Sequence, residues 1–120
     1  MTYKILICDH MNSYRMMARE ALKNSEYCVI AETDNGKEAI ELYAEHHPDL
    51  VLLSITMPKM DGITALEQIV AFDKNARVVM VSALGKEELV KKSLLTGAKN
   101  YIVKPLDRKK VLERISAALK

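Results

Sequence analysis

Five short apolar runs punctuate the chain, and each is followed by a longer segment in which apolar residues recur every three or four positions. The runs lie at residues 4–8, 27–31, 50–53, 78–81 and 100–103. Runs without regular polar alternation are typical of strands that are covered by other elements on both faces. The pattern therefore predicts five buried strands.

The segments between the runs have the apolar stripe of an amphipathic helix. The residues predicted to face inward are Tyr14, Met17, Ala18, Ala21, Leu22, Ala39, Ile40, Tyr43, Ala44, Ile63, Leu66, Ile69, Val70, Leu89, Val90, Leu94, Val111, Leu112, Ile115, Ala118 and Leu119. Asn12 with Ser13, and later Asp107, are predicted to cap helices, because their side chains accept hydrogen bonds from backbone N–H groups. Gly97 is predicted to end the fourth helix.

Helices between consecutive strands favour right-handed crossovers and a parallel sheet with helices on both faces. The prediction is an α/β fold of three layers, built from five β-strand and α-helix units, and residues 1–120 are expected to form one domain. The sequence shows no linker or repeat, and we expect no output domain after the last predicted helix. We therefore expect any output to pass through contact with another protein.

Charge is nearly balanced, because 18 basic and 16 acidic side chains leave a formal charge of +2. This balance, together with few aromatic residues, argues against a nucleic-acid-binding surface. The apolar runs are far shorter than the roughly 18 residues that span a bilayer, which argues against membrane insertion. Because the start of the chain leads into a predicted strand and not a signal peptide, a cytoplasmic location is expected.

Two cysteines, Cys8 and Cys28, fall at the end of one predicted strand and the start of the next. In parallel neighbouring strands they would be offset by about four residues, or roughly 13 Å, which is beyond the reach of a disulfide. Both are expected to be small buried apolar residues.

Polar residues end four of the predicted strands: Asp9 with His10, then Ser54, Ser82 and Lys104. Parallel strands bring their carboxyl ends to one edge of the sheet, so these residues should become neighbours. A carboxylate, hydroxyls and an ammonium around one pocket suit the binding of a phosphoryl-like anion.

Seven short motifs stand in a fixed order along the chain. They are residues 4–9 with Arg15, and residues 34–36, 48–53, 57–62, 81–83, 97–98 and 103–105. In this order they resemble response-regulator receiver domains, most of all single-domain chemotaxis regulators of the CheY type, over essentially the whole chain. The resemblance implies a flavodoxin-like, CheY-like fold with strand order 2-1-3-4-5 and a cis peptide before Pro105.

The resemblance also implies roles for residues at the strand ends. In receiver domains an aspartate after the third strand accepts a phosphoryl group from a kinase phosphohistidine, assisted by Mg²⁺ on an acidic pair. Asp9 would be the first member of that pair, and Thr56 would offer its backbone carbonyl to the metal. Lys104 would pair with the phosphoryl group, Ser82 would move toward it, and Tyr101 would be the aromatic switch.

Two departures from the receiver pattern fall within this site. Ser54 stands where receivers have the acceptor aspartate, and His10 stands where they have the second acidic residue. A hydroxyl needs a base to become a nucleophile, and Mg²⁺ prefers oxygen ligands to imidazole. We therefore expect no ordinary aspartyl phosphorylation and weak or absent binding of Mg²⁺.

Two functions remain open on the sequence alone. One is a chemotaxis receiver, monomeric by expectation, whose partners by resemblance are a sensor histidine kinase and a target such as a flagellar motor switch protein. The other is a pseudo-receiver, a binding module independent of phosphorylation. It would use the exposed face of the last two helices and the last strand, including Tyr101.

Other chemistries are less well supported by the residues. A hydrolase with His10 as base is disfavoured because Asp9 and His10 are sequence neighbours that point in different directions, so no enzyme is predicted. A transition-metal site on the same two residues has too few ligands. A phosphate ester on Ser54 would need a kinase to reach a recessed strand end, and residues 10–14 are a weak candidate for a flavin or nucleotide phosphate loop.

Overall fold

The structure, a computed structural model, describes residues 2–120. Its strands are β1 (Tyr3–Cys8), β2 (Tyr27–Thr33), β3 (Leu50–Ser54), β4 (Val78–Ser82) and β5 (Asn100–Val103). Its helices are α1 (Asn12–Leu22), α2 (Gly36–His46), α3 (Gly62–Phe72), α4 (Glu87–Thr96) and α5 (Arg108–Leu119). The strands form one parallel sheet in the order β2-β1-β3-β4-β5, which confirms the predicted flavodoxin-like fold.

The sheet separates two apolar cores. One core packs β-strand residues against α2 and α3, with Val90 of α4 at its margin, and the other packs them against α1 and α5. In β3, Val51 and Leu53 belong to the first core, and Leu50 and Leu52 to the second. Each of these four residues therefore packs in an apolar core, which explains the unbroken apolar run in the sequence. No helix among residues 2–120 has the length and apolar character of a membrane span.

The helix caps differ in part from the prediction. Asp107 caps α5 as predicted, since its side chain accepts a hydrogen bond from the Lys110 backbone N–H. The prediction for α1 was wrong, because Asn12 lies inside the helix and Met11 occupies the N-cap without a side-chain hydrogen bond. The Asp9 carboxylate instead accepts from the Met11 N–H, so the end of β1 helps to begin α1.

Strand β2 extends two residues beyond its predicted end at Ala31, to Thr33. Its pairing with β1 changes register between Ile5 and Leu6, so Ile30 bulges out of the ladder. Bulges are common on edge strands, because they bend an otherwise open edge away from regular pairing.

Two predicted core positions are on the surface. Met17 is 44% exposed and Leu94 is 46% exposed. The helical period alone assigns both residues to the inward-facing stripe, but the structure leaves them exposed to solvent. Helix α4 is little buried, since Ser93 is the one residue of this helix that is fully buried.

Both cysteines are free thiols in parallel neighbouring strands, where Cys28 pairs with Lys4 and Cys8 with Thr33. Cys8 is buried, and burial raises the pKa of its thiol well above the usual range. The prediction that Cys28 would also be buried was wrong, because it lies exposed on the edge strand.

Candidate functional site

The carboxyl ends of β1, β3, β4 and β5 converge on one pocket of about 230 Å³. Its lining comprises His10, Met11, Tyr14, Ser54, Thr56, Ser82, Ala83, Leu84 and Lys104. Residues far apart in the sequence thus meet at one edge of the sheet, as the strand topology requires. The polar side-chain groups of this lining are four hydroxyls, one of them the phenol of Tyr14, together with one imidazole and one ammonium.

A buried ion pair organises the pocket. The Nζ atom of Lys104 lies 3.0 Å from Oδ2 of Asp9, and both side chains are almost fully shielded from solvent. The same Nζ lies 3.7 Å from the centre of the Tyr14 ring, at the distance of a cation–π contact. Lys104 is therefore held from two sides and cannot swing out of the pocket without losing both contacts.

Both carboxylate oxygens of Asp9 are occupied. Oδ2 faces Lys104, and Oδ1 accepts a hydrogen bond of 3.0 Å from the Met11 backbone N–H. The backbone carbonyl of Asp9 also accepts a 2.6 Å hydrogen bond from the Arg15 guanidinium. These contacts fix the carboxylate and compensate its burial.

Ser54 ends β3 and is only 2% exposed. Helix α3 begins directly behind it, and the Gly62 N–H donates a 2.7 Å hydrogen bond to the Ile55 carbonyl. A Cβ atom on Gly62 would overlap the Ser54 carbonyl oxygen and come within 2.7 Å of the Ile55 Cα. Glycine is therefore required here for the helix to approach the strand end.

The Ser54 side chain lines the pocket, and every fully buried side-chain nitrogen or oxygen atom among residues 2–120 has a hydrogen-bond partner. His10 lies at the mouth, with its side chain 40% exposed and its Nδ1 3.7 Å from Oδ1 of Asp9. That distance is too long for a hydrogen bond. A hydrolase would need a serine, histidine and aspartate linked in sequence, and the described residues do not form that chain.

The β4–α4 loop is fixed by two hydrogen bonds at Leu84. Its backbone N–H donates to the Ser82 hydroxyl at 3.0 Å, and its carbonyl accepts from the Tyr101 hydroxyl at 2.7 Å. Tyr101 is only 4% exposed. The expectation that Tyr101 contributes to an exposed docking face was therefore wrong, because the ring fills the core beneath the loop.

The two remaining candidate site residues, Thr56 and Pro105, lie at the rim of the pocket. Thr56 is exposed and lines the pocket, and the peptide between Lys104 and Pro105 is cis. Sequence reasoning missed the part that Tyr14 plays, since it was assigned to the apolar stripe of α1. The sequence offered one signal for this contact, because Tyr14 follows the Asp9–His10 pair by about one helical turn. The direction of its ring, however, depends on Lys104, which is distant in sequence.

The donor set of the rim can be compared with the requirements of Mg²⁺. That ion demands an octahedron of oxygen ligands and usually binds one or two carboxylates. Here the carboxylate paired with Lys104 of the pocket is that of Asp9, and its two oxygens are engaged by Lys104 and by the Met11 N–H. Across residues 2–120, no cluster of three His, Cys, Asp or Glu side chains is placed to hold a metal ion.

Known proteins resemble this chain along its whole length. The response regulator receiver domain family matches residues 5–116. The chemotaxis protein CheY of Treponema pallidum is 57% identical, over 98% of this chain and 83% of that protein. CheY of Bacillus subtilis is 46% identical, over 99% of both chains. A chain in the crystal structure of the CheX–CheY–BeF3–Mg²⁺ complex from Borrelia burgdorferi superposes with a TM-score of 0.95 at 47% identity, over 98% of this chain and 90% of that one.

Proposed function

Because this chain belongs to the response regulator receiver domain family and is CheY-like, we propose that it acts as a receiver in two-component chemotaxis signalling. CheY-type receivers are signalling modules and act through contacts with other proteins. In this proposal residues 1–120 work as one receiver unit in the cytoplasm, as a monomer. Its partners are a sensor histidine kinase and a target such as a flagellar motor switch protein.

The proposal includes the loss of the usual phosphoryl acceptor. Ser54 occupies the carboxyl end of β3 beside the Asp9–Lys104 pair, and this single observation carries the argument. A serine hydroxyl is protonated at neutral pH and becomes a nucleophile only with an adjacent base. The nearby carboxylate of Asp9 is engaged by Lys104 and by the Met11 N–H instead. The site therefore takes no phosphoryl group from a phosphohistidine or a small phosphodonor.

The proposal also treats the metal site as altered. Receiver domains of the CheY family bind Mg²⁺ in general. In this chain the imidazole of His10 and the hydroxyl of Ser54 stand where two carboxylates would be expected, and the oxygens of Asp9 are already engaged. Such a donor set suits Mg²⁺ poorly, so the ion binds weakly or not at all.

A specific contact favours the second candidate, the pseudo-receiver. The Tyr101 hydroxyl is bonded to the Leu84 carbonyl, and the ring is buried with no phosphoryl group required to hold it there. The loop after β4 is thus fixed by the chain's own residues. A protein surface built in this way binds its partner in one constant state and without catalytic turnover.

Partner binding tests the proposal. The chain is titrated against the chemotaxis kinase and the flagellar motor switch protein of its own source, each with and without acetyl phosphate and Mg²⁺. We expect at least one partner to bind with the same affinity under both conditions. The double variant Ser54→Asp/His10→Asp is the matched control, because restored carboxylates should make its affinity depend on the phosphodonor.

Binding of the unaltered chain that requires the phosphodonor would contradict the loss of phosphoryl chemistry. Failure of both partners to bind under either condition would contradict the chemotaxis assignment. The two results are distinguishable, because only the first responds to acetyl phosphate.

A further inference from the structure

The sheet has two edge strands, and they differ in regularity. At one edge, β2 leaves regular pairing at the bulge of Ile30. At the other edge, β5 has β4 as its single neighbour among residues 2–120, and the ladder between them is regular over all four residues of β5. A regular edge strand presents backbone N–H and C=O groups on which another strand can pair. The edge of β5 therefore needs a different form of protection.

The backbone groups of β5 that point away from β4 belong to Tyr101 and Val103. The Lys104 N–H donates a 2.8 Å hydrogen bond to the Ser82 carbonyl of β4. Backbone groups of successive residues in a strand point alternately to its two edges, so those of Val103 and Tyr101 point to the open side. These two residues carry the groups that an added strand would use.

Three side chains cover these groups. The Asn100 Oδ1 atom accepts a 2.9 Å hydrogen bond from the Tyr101 N–H, and the Arg114 guanidinium of α5 donates to the Tyr101 carbonyl. One helical turn earlier, the Lys110 Nζ atom donates to the Val103 carbonyl at 3.2 Å. Arg114 also donates to Asn100 Oδ1 at 3.3 Å, and the Asn100 amide donates to the Arg114 carbonyl at 3.4 Å. We call Asn100, Lys110 and Arg114 the edge cover.

We propose that the edge cover closes β5 against strand pairing with a second copy of this chain. A second copy is the partner that fits, because its own β5 edge carries the same donors and acceptors and a two-fold axis would match them in antiparallel pairing. Such pairing requires that the hydrogen bonds from Lys110 and Arg114 to the edge carbonyls first break. The inference does not depend on the chemistry at Ser54.

Charge strengthens the cover. A two-fold axis brings each residue near the axis close to its own counterpart in the other copy. Lys110 and Arg114 would then face the same two cations across the contact, and like charges repel. Charged side chains on an edge strand are a common device against association between edges. The edge cover therefore opposes pairing both by occupying the acceptors and by its charge.

Removal of the two cationic donors tests the inference. Lys110→Met/Arg114→Met removes both donors and both charges, and methionine keeps an unbranched side chain with good helix propensity. Static light scattering over a concentration series measures the mass of the unaltered and the variant chains. We expect the unaltered chain to keep the monomer mass and the variant to rise toward twice that mass. A folded variant that keeps the monomer mass throughout, or an unaltered chain that rises with it, would overturn the proposal.

A matched variant separates the edge cover from net charge. Lys91→Met/Lys109→Met removes the same charge and adds the same two methionines at exposed positions of α4 and α5. It should keep the monomer mass. Equal association of the two double variants would mean that net charge or surface methionine sets the association, which would contradict the proposal.

A single variant guards against misfolding of the double variant. Arg114→Met uncovers the Tyr101 carbonyl and leaves Lys110 in place. It should associate as well, at higher concentration than the double variant, because half of the cover remains. Circular dichroism verifies that each variant is folded, and a folded Arg114→Met chain without any association at the highest concentration would count against the cover.

The place of contact gives a second readout. In isotope-labelled Lys110→Met/Arg114→Met, the NMR amide signals of Tyr101 and Val103 should shift as the protein is concentrated, because strand pairing adds hydrogen bonds at these residues. The amide signal of Val29, on the opposite edge strand, should stay in place. Association that shifts other signals and leaves β5 unchanged would show a different contact surface and would overturn the proposal.

Discussion

At the scale of single residues, the hydroxyl of Tyr43 shows how one hydrogen bond makes the stability of the core depend on pH. It donates a 2.9 Å hydrogen bond to the Asp73 carboxylate, and the buried ring of this α2 residue contacts Phe72 of α3 edge-to-face. This hydrogen bond, with a second one from the Asn75 backbone N–H, lowers the pKa of Asp73 below its usual value of 3.8. Burial and the same carboxylate raise the pKa of Tyr43.

The sign of the effect on stability follows from the lowered pKa. Asp73 favours the folded state while it is ionised, above its usual pKa, and this contribution is lost as the pH falls through the lower pKa of the folded state. Tyr43→Phe should therefore reduce the free energy of unfolding more at pH 7 than in acid below the usual carboxyl pKa. Urea denaturation at both pH values measures the difference. Tyr3→Phe, on the opposite face of the sheet, serves as control, and an equal loss at both pH values for Tyr43→Phe would contradict the account.

At the scale of elements, the approach of α3 to the end of β3 sets the position of Ser54. The contact depends on Gly62, whose missing side chain lets the helix begin against the Ser54 carbonyl. On the other face, the Arg108 guanidinium at the start of α5 donates hydrogen bonds to the Ala21 and Lys23 carbonyls at the end of α1. Arg108 therefore ties α1 and α5 together and satisfies carbonyls that a helix end leaves open.

Gly62→Ala should lower the free energy of unfolding by about 1–3 kcal/mol or more, because the new methyl group meets backbone atoms that cannot move aside. Gly85→Ala is the control. Its methyl group would meet a Val103 side-chain methyl 3.2 Å away, which can shift, so the loss should be smaller. Chemical denaturation measures the free energy of unfolding of both variants. Equal losses in the two would show that α3 is not held against β3 as described.

At the scale of the whole molecule, sequence reasoning predicted the layers and the rim of the site well. A strand such as β3, which packs against a core on each face, needs a continuous apolar run, so its burial can be predicted from the sequence. Parallel pairing then places Asp9, Ser54, Ser82 and Lys104 together at one edge. Both inferences follow from backbone geometry alone.

The errors have a different physical origin. The spacing of apolar residues does not record how much of each helix face is covered, so it did not foresee that Met17 and Leu94 lie on the surface. Side-chain directions depend on partners that are distant in sequence, which is why Tyr14 over Lys104 and the buried Tyr101 were not foreseen. The engagement of both Asp9 oxygens belongs to the same class of feature.

The central claim is that a receiver fold is retained while its acceptor chemistry is lost at Ser54. Intact-mass measurement after incubation with acetyl phosphate and Mg²⁺ tests this most directly, with the Ser54→Asp/His10→Asp variant treated in parallel. The account predicts an unchanged mass for the unaltered chain and a labile phosphoryl adduct on the variant. A labile adduct of one phosphoryl group on the unaltered chain would contradict it.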